Sequence, residues 1–253
     1  MEFRDRLYIS TTAEDAAALA RRYGLGLELA EFCTAMNMDR NFAENDARVR
    51  ANMDGVCRFT FHAPFSEMSP AAIDPLVRDV TRQRYDQAIG LARGYGIRKT
   101  VIHSGFIPLV YYPAWFVPES VSFWRDYMAR LPEDMTVCLE NVMEPGPDLL
   151  CEIAAGVDDP RFRLCLDVGH ANTTVSETPV TEWIDAMAPG LGHVHIHNND
   201  GGRDLHRPLG DGELDMAALI DRIEALAPDV TYTIENIMTA AASVDWLRER
   251  GRI

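Results

Sequence analysis

Eight short apolar runs alternate with eight helix-length segments along the 253 residues, and this alternation restricts the fold more than any other feature. The runs are Leu7–Ser10, Leu25–Phe32, Arg58–Phe65, Thr100–Phe106, Thr136–Val142, Phe162–Val168, Gly192–Asn198 and Val230–Asn236. Helical patterns fill the intervals at Ala13–Tyr23, Asn41–Met53, Ala71–Tyr95, Pro118–Arg130, Pro147–Ala155, Val180–Ala188, Asp215–Leu226 and Ala240–Arg250. Thr11 or Thr12 is expected to cap the first helix, and Ser69-Pro70 to start the third. Gly24 and Gly96 fall just past helix ends, where glycine suits a left-handed cap. Successive βα units of this kind predict a parallel sheet closed on itself, a single α/β domain over residues 1–253 with the architecture of a (β/α)8 TIM barrel. A doubly wound open sheet is the competing topology, but no GxGxxG or GxxxxGK[ST] pattern follows any strand.

In such a barrel, chemistry gathers at the C-terminal ends of the strands. Strand three here ends in His62, strand four in His103, strand five in Glu140, strand six in Asp167 followed by His170, strand seven in His195 and strand eight in Glu235; strand two carries Glu28 and Glu31. Strand seven and the loop after it, HVHIHNNDGGRDLHRPLGDG, hold four of the seven histidines, His193, His195, His197 and His206. A strand puts i, i+2 and i+4 on one face, so His193, His195 and His197 share a face, with Val194 and Ile196 on the other. Imidazoles facing a dry core without partners are costly; facing a polar cavity they suit a metal. Asp204 and His206, two residues apart after a glycine-rich turn, can reach the same cation. His193 lies deeper and reads as packing, and His197 as support behind the ligands.

Composition removes several function classes. The formal charge of −15 argues against a nucleic-acid surface. Lys99 is the only lysine and sits at the start of its strand, away from the catalytic end, which argues against a lysine-dependent aldolase. Cys33, Cys57, Cys138, Cys151 and Cys165 are scattered and odd in number, as expected for free thiols in a reducing cytoplasm. No apolar run approaches the ~20 residues of a membrane helix, and the N-terminus lacks an apolar signal core.

The set of strand-end residues resembles the xylose-isomerase-like TIM-barrel superfamily, and the resemblance spans nearly the whole chain. In its isomerase and epimerase branch one divalent metal is held by Glu, Asp, His and Glu, which correspond here to Glu140, Asp167, His195 and Glu235; the histidine of Asp-x-x-His, here His170, contacts substrate. The endonuclease IV branch holds three zinc ions. Its HAP matches His62-Ala63-Pro64, its next histidine matches His103, and its DxHxxxGxG matches Asp204, His206, Gly210 and Gly212, so all nine ligand types are present. The chain departs from that branch at His197-Asn198, where the nuclease has Asn-Asp, and in its acidic balance.

The isomerase resemblance implies a sugar or sugar-phosphate isomerase or epimerase in which Glu140 and Glu235 shuttle a proton through a metal-stabilised enediolate. His170 is then a catalytic group as well, and His62, His103 and Arg203 meet substrate. Imidazole and carboxylate ligands favour one Mn, Co or Zn. The alternatives are a phosphoesterase with two or three metals, for which His62, His103, His170, Asp204 and His206 are ligands too, and a barrel that binds a metal and a polar ligand without catalysis. Arg203 and Arg207 flank His206 and can hold a phosphate or carboxylate, or remain solvated. The aromatic stretch Phe106–Phe116 is expected as a long loop, either a lid or wall over the substrate, or a hydrophobic plug or homodimer contact. Trp124, Trp183 and Trp246 read as packing.

Overall fold

The computed structural model describes residues 1–253. Strands β1 (Leu7–Ser10), β2 (Gly26–Leu29), β3 (Phe59–His62), β4 (Lys99–His103), β5 (Thr136–Glu140), β6 (Phe162–Asp167), β7 (Leu191–Ile196) and β8 (Thr231–Ile234) close into one barrel in sequence order. Every pairing is parallel, and β1 meets β8 through Leu7–Tyr232 and Ile9–Ile234. The helices are α1 (Ala16–Tyr23), α2 (Ala35–Asp39), α3 (Phe42–Met53), α4 (Pro75–Gly94), α5 (Pro113–Met128), α6 (Asp148–Val157), α7 (Val180–Met187), α8 (Met216–Leu226) and α9 (Ala241–Glu249).

The strands alternate apolar and polar side chains, and the barrel sorts them. Ile9, Leu27, Leu29, Phe61, Ile102, Val137, Leu139, Leu164, Leu166, Val194, Ile196 and Ile234 join the helices in the main core. The opposite faces point into the lumen, where the buried apolar residues are only Val101, Cys138 and Cys165. The rest of the lumen is polar, unlike the branched aliphatic layers that usually fill such barrels. A bulge keeps β7 in phase: Leu164 pairs with Leu191 but Cys165 pairs with His193, so Gly192 is the extra residue. A Cβ on Gly192 would lie 2.7 Å from Arg163 Cβ, which leaves glycine as the fitting residue.

Several boundaries differ from the sequence expectation. Helix α1 is preceded by Asp15, not Thr11 or Thr12; Thr11 Oγ1 instead donates to Glu31. Helix α4 begins at Pro75 behind Asp74, whose carboxylate accepts from the Leu76 amide, so the Ser69-Pro70 start lies in the preceding loop. Helix α5 begins at Pro113, five residues before Pro118, which the helix contains. Both prolines qualify as helix starts by local chemistry, and the earlier one takes the first-turn position where its missing N–H has no cost. Phe106–Phe116 is therefore a short loop plus the first turn of α5. Helix α2, capped by Thr34, adds an element too short for the sequence pattern to reveal. Gly24 and Gly96 do take left-handed backbone, with φ of 67° and 81°. Trp124 and Trp183 are fully buried, Trp246 packs against the core, and all five cysteines are free.

Candidate metal centre

The ends of β5, β6, β7 and β8 bring three carboxylates to one imidazole nitrogen. His195 Nδ1 lies 3.0 Å from Glu140 Oε1, 3.3 Å from Glu235 Oε2 and 3.7 Å from Asp167 Oδ2. Parallel pairing sets this level: Asp167 is opposite His195 in the β6–β7 ladder, and His103 is opposite Glu140 in the β4–β5 ladder. His62 and His103 approach the other oxygen of Glu140, Nε2 to Oε2 at 3.4 and 3.3 Å. On the far side, Asp204 Oδ2 lies 3.2 Å from His170 Nε2 and 2.8 Å from His206 Nε2. His206 reaches in from left-handed backbone, φ 47°, a strained conformation of the kind that clusters at functional sites. Arg203 is exposed and makes no ion pair; it is not drawn into this cluster, and Arg207 pairs with Asp200.

The imidazole rings are aimed by backbone carbonyls. Nδ1 of His62 faces the Ala63 carbonyl at 2.9 Å, that of His170 the Asn141 carbonyl at 2.8 Å, and that of His206 the Glu235 carbonyl at 2.8 Å. A carbonyl only accepts, so each Nδ1 carries the hydrogen and each Nε2 offers a lone pair when the ring is neutral. Those lone pairs then face carboxylate oxygens, an arrangement that is stable only with a cation between them, either a proton or a metal. Glu140 Oε2, fully buried, has no hydrogen-bond partner. Carbonyl-anchored imidazoles beside buried carboxylates form clusters that could hold a divalent metal, with a supporting shell behind them.

Protons serve as the cation when no metal is bound. Burial disfavours the charged form of His62, but the adjacent Glu140 carboxylate outweighs it and pushes the ring up to about 9. His206 is likewise pushed up to about 9 against burial, by Asp204 first and then Glu235. Burial alone raises the carboxyls of Glu140 and Asp167. His195 and His103 reverse this for Glu140, and His170 and His197 for Asp167, holding both well below the ordinary carboxylate value. His103 goes the other way, down to about 4, because burial dominates.

The supporting residues are partly those that the sequence marked and partly others. His197 Nε2 lies 3.0 Å from both oxygens of Asp167 and its ring stacks on His206 at 4.1 Å. Gly169 makes room for it: a Cβ there would fall 1.9 Å from the His197 ring. Asn198 ties the loop by donating to the carbonyls of Leu209 and Leu214, and a Cβ on Gly212 would lie 2.2 Å from its Oδ1. Asn141, unmarked in the sequence, straddles β5 and β6 by donating to the Asp167 carbonyl and accepting from its amide. Glu28, marked only as an acid on strand two, is fully buried beneath the centre. Cavity size does not point to the site, because cavities of about 420 and 340 Å³ open at the opposite end of the barrel.

A closed parallel barrel with a buried His, Asp and Glu cluster at the C-terminal mouth is the frame of a metal-binding (β/α)8 protein. The sequence profile of the xylose isomerase-like TIM barrel family matches residues 25–250, and the chain belongs to that family. Uncharacterized protein MJ1311 of Methanocaldococcus jannaschii is 28% identical over 199 residues, 74% of this chain and 68% of that protein. A probable endonuclease 4 of Mycobacterium tuberculosis is 25% identical over 203 residues, 75% of this chain and 77% of that protein. Among solved structures, a D-tagatose 3-epimerase-like protein superposes with a TM-score of 0.77 at 22% identity, covering 96% of each chain. The TTHB071 protein of Thermus thermophilus, soaked with ZnCl2, superposes with a TM-score of 0.75 at 25% identity, covering 97% of each. No helix is long and apolar enough to cross a membrane.

Proposed function

We propose that the chain is a divalent-metal-dependent isomerase or epimerase of a small sugar or sugar phosphate. The observation that carries this reading is the convergence of Glu140 and Glu235, from strands three apart in the ring, on the nitrogen of His195 with Asp167 beside them. Glu140, Asp167, His195 and Glu235 are the residues that would hold the metal. A cation held there supplies Lewis-acid polarisation of a carbonyl and its neighbouring hydroxyl. One glutamate takes the proton from the carbon beside the carbonyl and the other returns it to the adjacent carbon or the opposite face. His62 and His103, at the second oxygen of Glu140, can hold a proton there between the two transfers. His170, whose Nδ1 is fixed by the Asn141 carbonyl, faces Asp204 with Nε2 and can donate from that atom to a substrate oxygen when the ring is charged. Arg203, exposed beside Asp204, is free to meet a phosphate or carboxylate on the substrate.

A second reading rests on a specific observation, the Asp204 carboxylate between the carbonyl-anchored rings of His170 and His206. With His62 and His103 at Glu140, these residues can carry further cations and so support a phosphoesterase centre that uses a metal-generated nucleophile. The charge of −15 argues that its ester would be a small molecule rather than a nucleic acid. Elemental analysis of untagged protein, followed by assay, separates the readings. One Mn, Co or Zn per chain with interconversion of a ketose or its phosphate is the expected result. Two or three metals with hydrolysis of a phosphoester and no sugar interconversion would replace the first reading by the second.

We propose as well that the chain pairs with a second copy. Residues 105–118 carry no charge in a chain that is 25% charged. Ile107, Leu109, Val110, Tyr112 and Trp115 are exposed there, beside exposed Ile73, Leu76, Val77 and Val80, with Leu109 at 99%. The two segments are joined by Trp115 Nε1 donating to the Ala71 carbonyl and by the Arg78–Glu119 ion pair. Their exposed apolar surface is on the order of 1,000 Å², beyond the usual patch on a monomer and comparable to the ~800 Å² that each partner gives a standard interface. Sedimentation velocity is expected to show a dimer, and Leu76→Glu with Leu109→Glu a monomer. A wild-type chain that sediments as a monomer at micromolar concentration would remove the second copy as the occupant of this face.

A further inference from the structure

The lumen below the metal centre holds a line of polar side chains that proton transfer does not use. It starts at Lys99, which borders the cavity of about 340 Å³ at the N-terminal end of the barrel. Lys99 Nζ donates to Thr231 Oγ1 at 2.9 Å and to the Gly192 carbonyl at 3.2 Å. Thr231 Oγ1 is 2.5 Å from His193 Nδ1, against 3.3 Å to the Gly192 carbonyl. His193 Nε2 is 3.0 Å from Glu28 Oε2, and that oxygen also accepts from the Thr60 and Thr233 hydroxyls at 3.0 Å each. Glu28 Oε1 and His195 Nε2 lie 2.9 Å apart, a close approach that falls short of an aligned hydrogen bond, and neither atom has any other partner. Glu28, His193 and His195 are all fully buried.

The chemistry of the ends gives the line a direction. An ammonium group only donates, so Thr231 Oγ1 accepts from Lys99 and sends its own hydrogen to the nearer acceptor, His193 Nδ1. The His193 ring then carries its hydrogen on Nε2, where Thr233 Oγ1 accepts it at 2.9 Å and sends its own hydrogen on to Glu28 Oε2. A carboxylate only accepts, so Oε1 of the same group calls for the hydrogen of His195 on Nε2. That leaves the lone pair of His195 on Nδ1, the atom facing Glu140, Asp167 and Glu235. With the opposite tautomer an N–H would occupy the position that a metal must take. A fully buried carboxylate is costly unless its partners compensate; an aliphatic side chain would fill this layer without that cost.

We infer that Glu28, with Lys99, Thr231 and His193 behind it, is a positioning residue that presets the His195 tautomer for metal binding. The inference rests on the metal reading of the site above. It gives the only lysine a role at the end of the barrel remote from substrate.

The test uses the metal-free full chain, with Zn²⁺ affinity from competition with a chromogenic chelator and histidine tautomers from long-range ¹H–¹⁵N spectra. His193 is expected as a single Nε2–H tautomer in the wild type. Glu28→Gln, similar in shape but able to turn an N–H toward His195, is expected to weaken Zn²⁺ binding ten- to a hundredfold. Thr231→Val, which keeps the volume, is expected to weaken binding less and to turn the His193 spectrum into a mixture of tautomers; it carries the affinity test if Glu28→Gln does not fold. Unchanged Zn²⁺ affinity in the variant that folds, or a wild-type His193 with its hydrogen on Nδ1, would overturn the inference. Failure of the wild type to bind any divalent cation would instead remove the site reading, and the tautomer of His193 still decides whether the column runs as described.

Discussion

Replacing Glu140 or Glu235 with glutamine is expected to lower turnover by a factor between about 100 and 10,000, the usual contribution of a positioned proton-transfer group, while the barrel stays folded. Glutamine keeps the shape and one carbonyl ligand but can neither take up nor return a proton. Glu140 is fully enclosed and both its oxygens face imidazoles, so its loss falls on the centre and not on the hydrophobic core, which lies on the other side of the strands. Incorporation of solvent deuterium separates the two readings. If protons move between carbon and glutamate, wild-type product formed in D2O carries deuterium and both variants lose the exchange along with turnover. A variant that turns over the identified substrate at the wild-type rate would end the proton-shuttle assignment.

Removing the metal is expected to lower the thermal midpoint by roughly 10 °C, and by more as the pH rises from 6.5 to 9. A cation at a thousandfold excess over its Kd stabilises the folded state by about 4 kcal/mol. For a chain of this size each kcal/mol moves the midpoint by about 2–4 °C. The pH dependence follows from the raised imidazoles. In the metal-free protein His62 and His206 titrate at about 9 instead of near 6.5, so the stability they contribute is complete below 6.5 and lost as pH rises through 9. A cation held by Glu140 and Glu235 draws on the carboxylates that keep these rings charged, so it competes with their protons below pH 9 and is free of that competition above it. Calorimetry of the loaded and chelated protein across this range tests the sign. A gap that narrows with increasing pH would mean that the protons on these rings do not compete with the cation.

Much of this architecture is legible in the chain because the information is local. The polar and apolar alternation of each strand already separates a helix-facing side from a lumen-facing side. Closure in sequence order then carries His62, His103, Glu140, Asp167, His195 and Glu235 to one level, because parallel strands end on the same rim. The helix starts were less legible. Thr11 has the chemistry of a cap but serves Glu31, and Pro118 has the chemistry of a first turn but sits one turn inside α5. Thr11 is taken up by a contact 20 residues away, and of the two prolines the earlier one takes the first turn.

The sequence by itself determined the order and number of βα units, the end of the barrel at which the His, Asp and Glu side chains gather, and their identity. Only the tertiary structure decided which atom of each side chain faces which neighbour. The rings of His170 and His206 are aimed by carbonyls of Asn141 and Glu235, each 29 residues away, and Glu28 meets His195 across the lumen from a strand on another part of the ring. Those relations depend on strand register, on the bulge at Gly192 and on barrel closure. All three arise from pairing between distant segments, and residue spacing along one strand does not encode them.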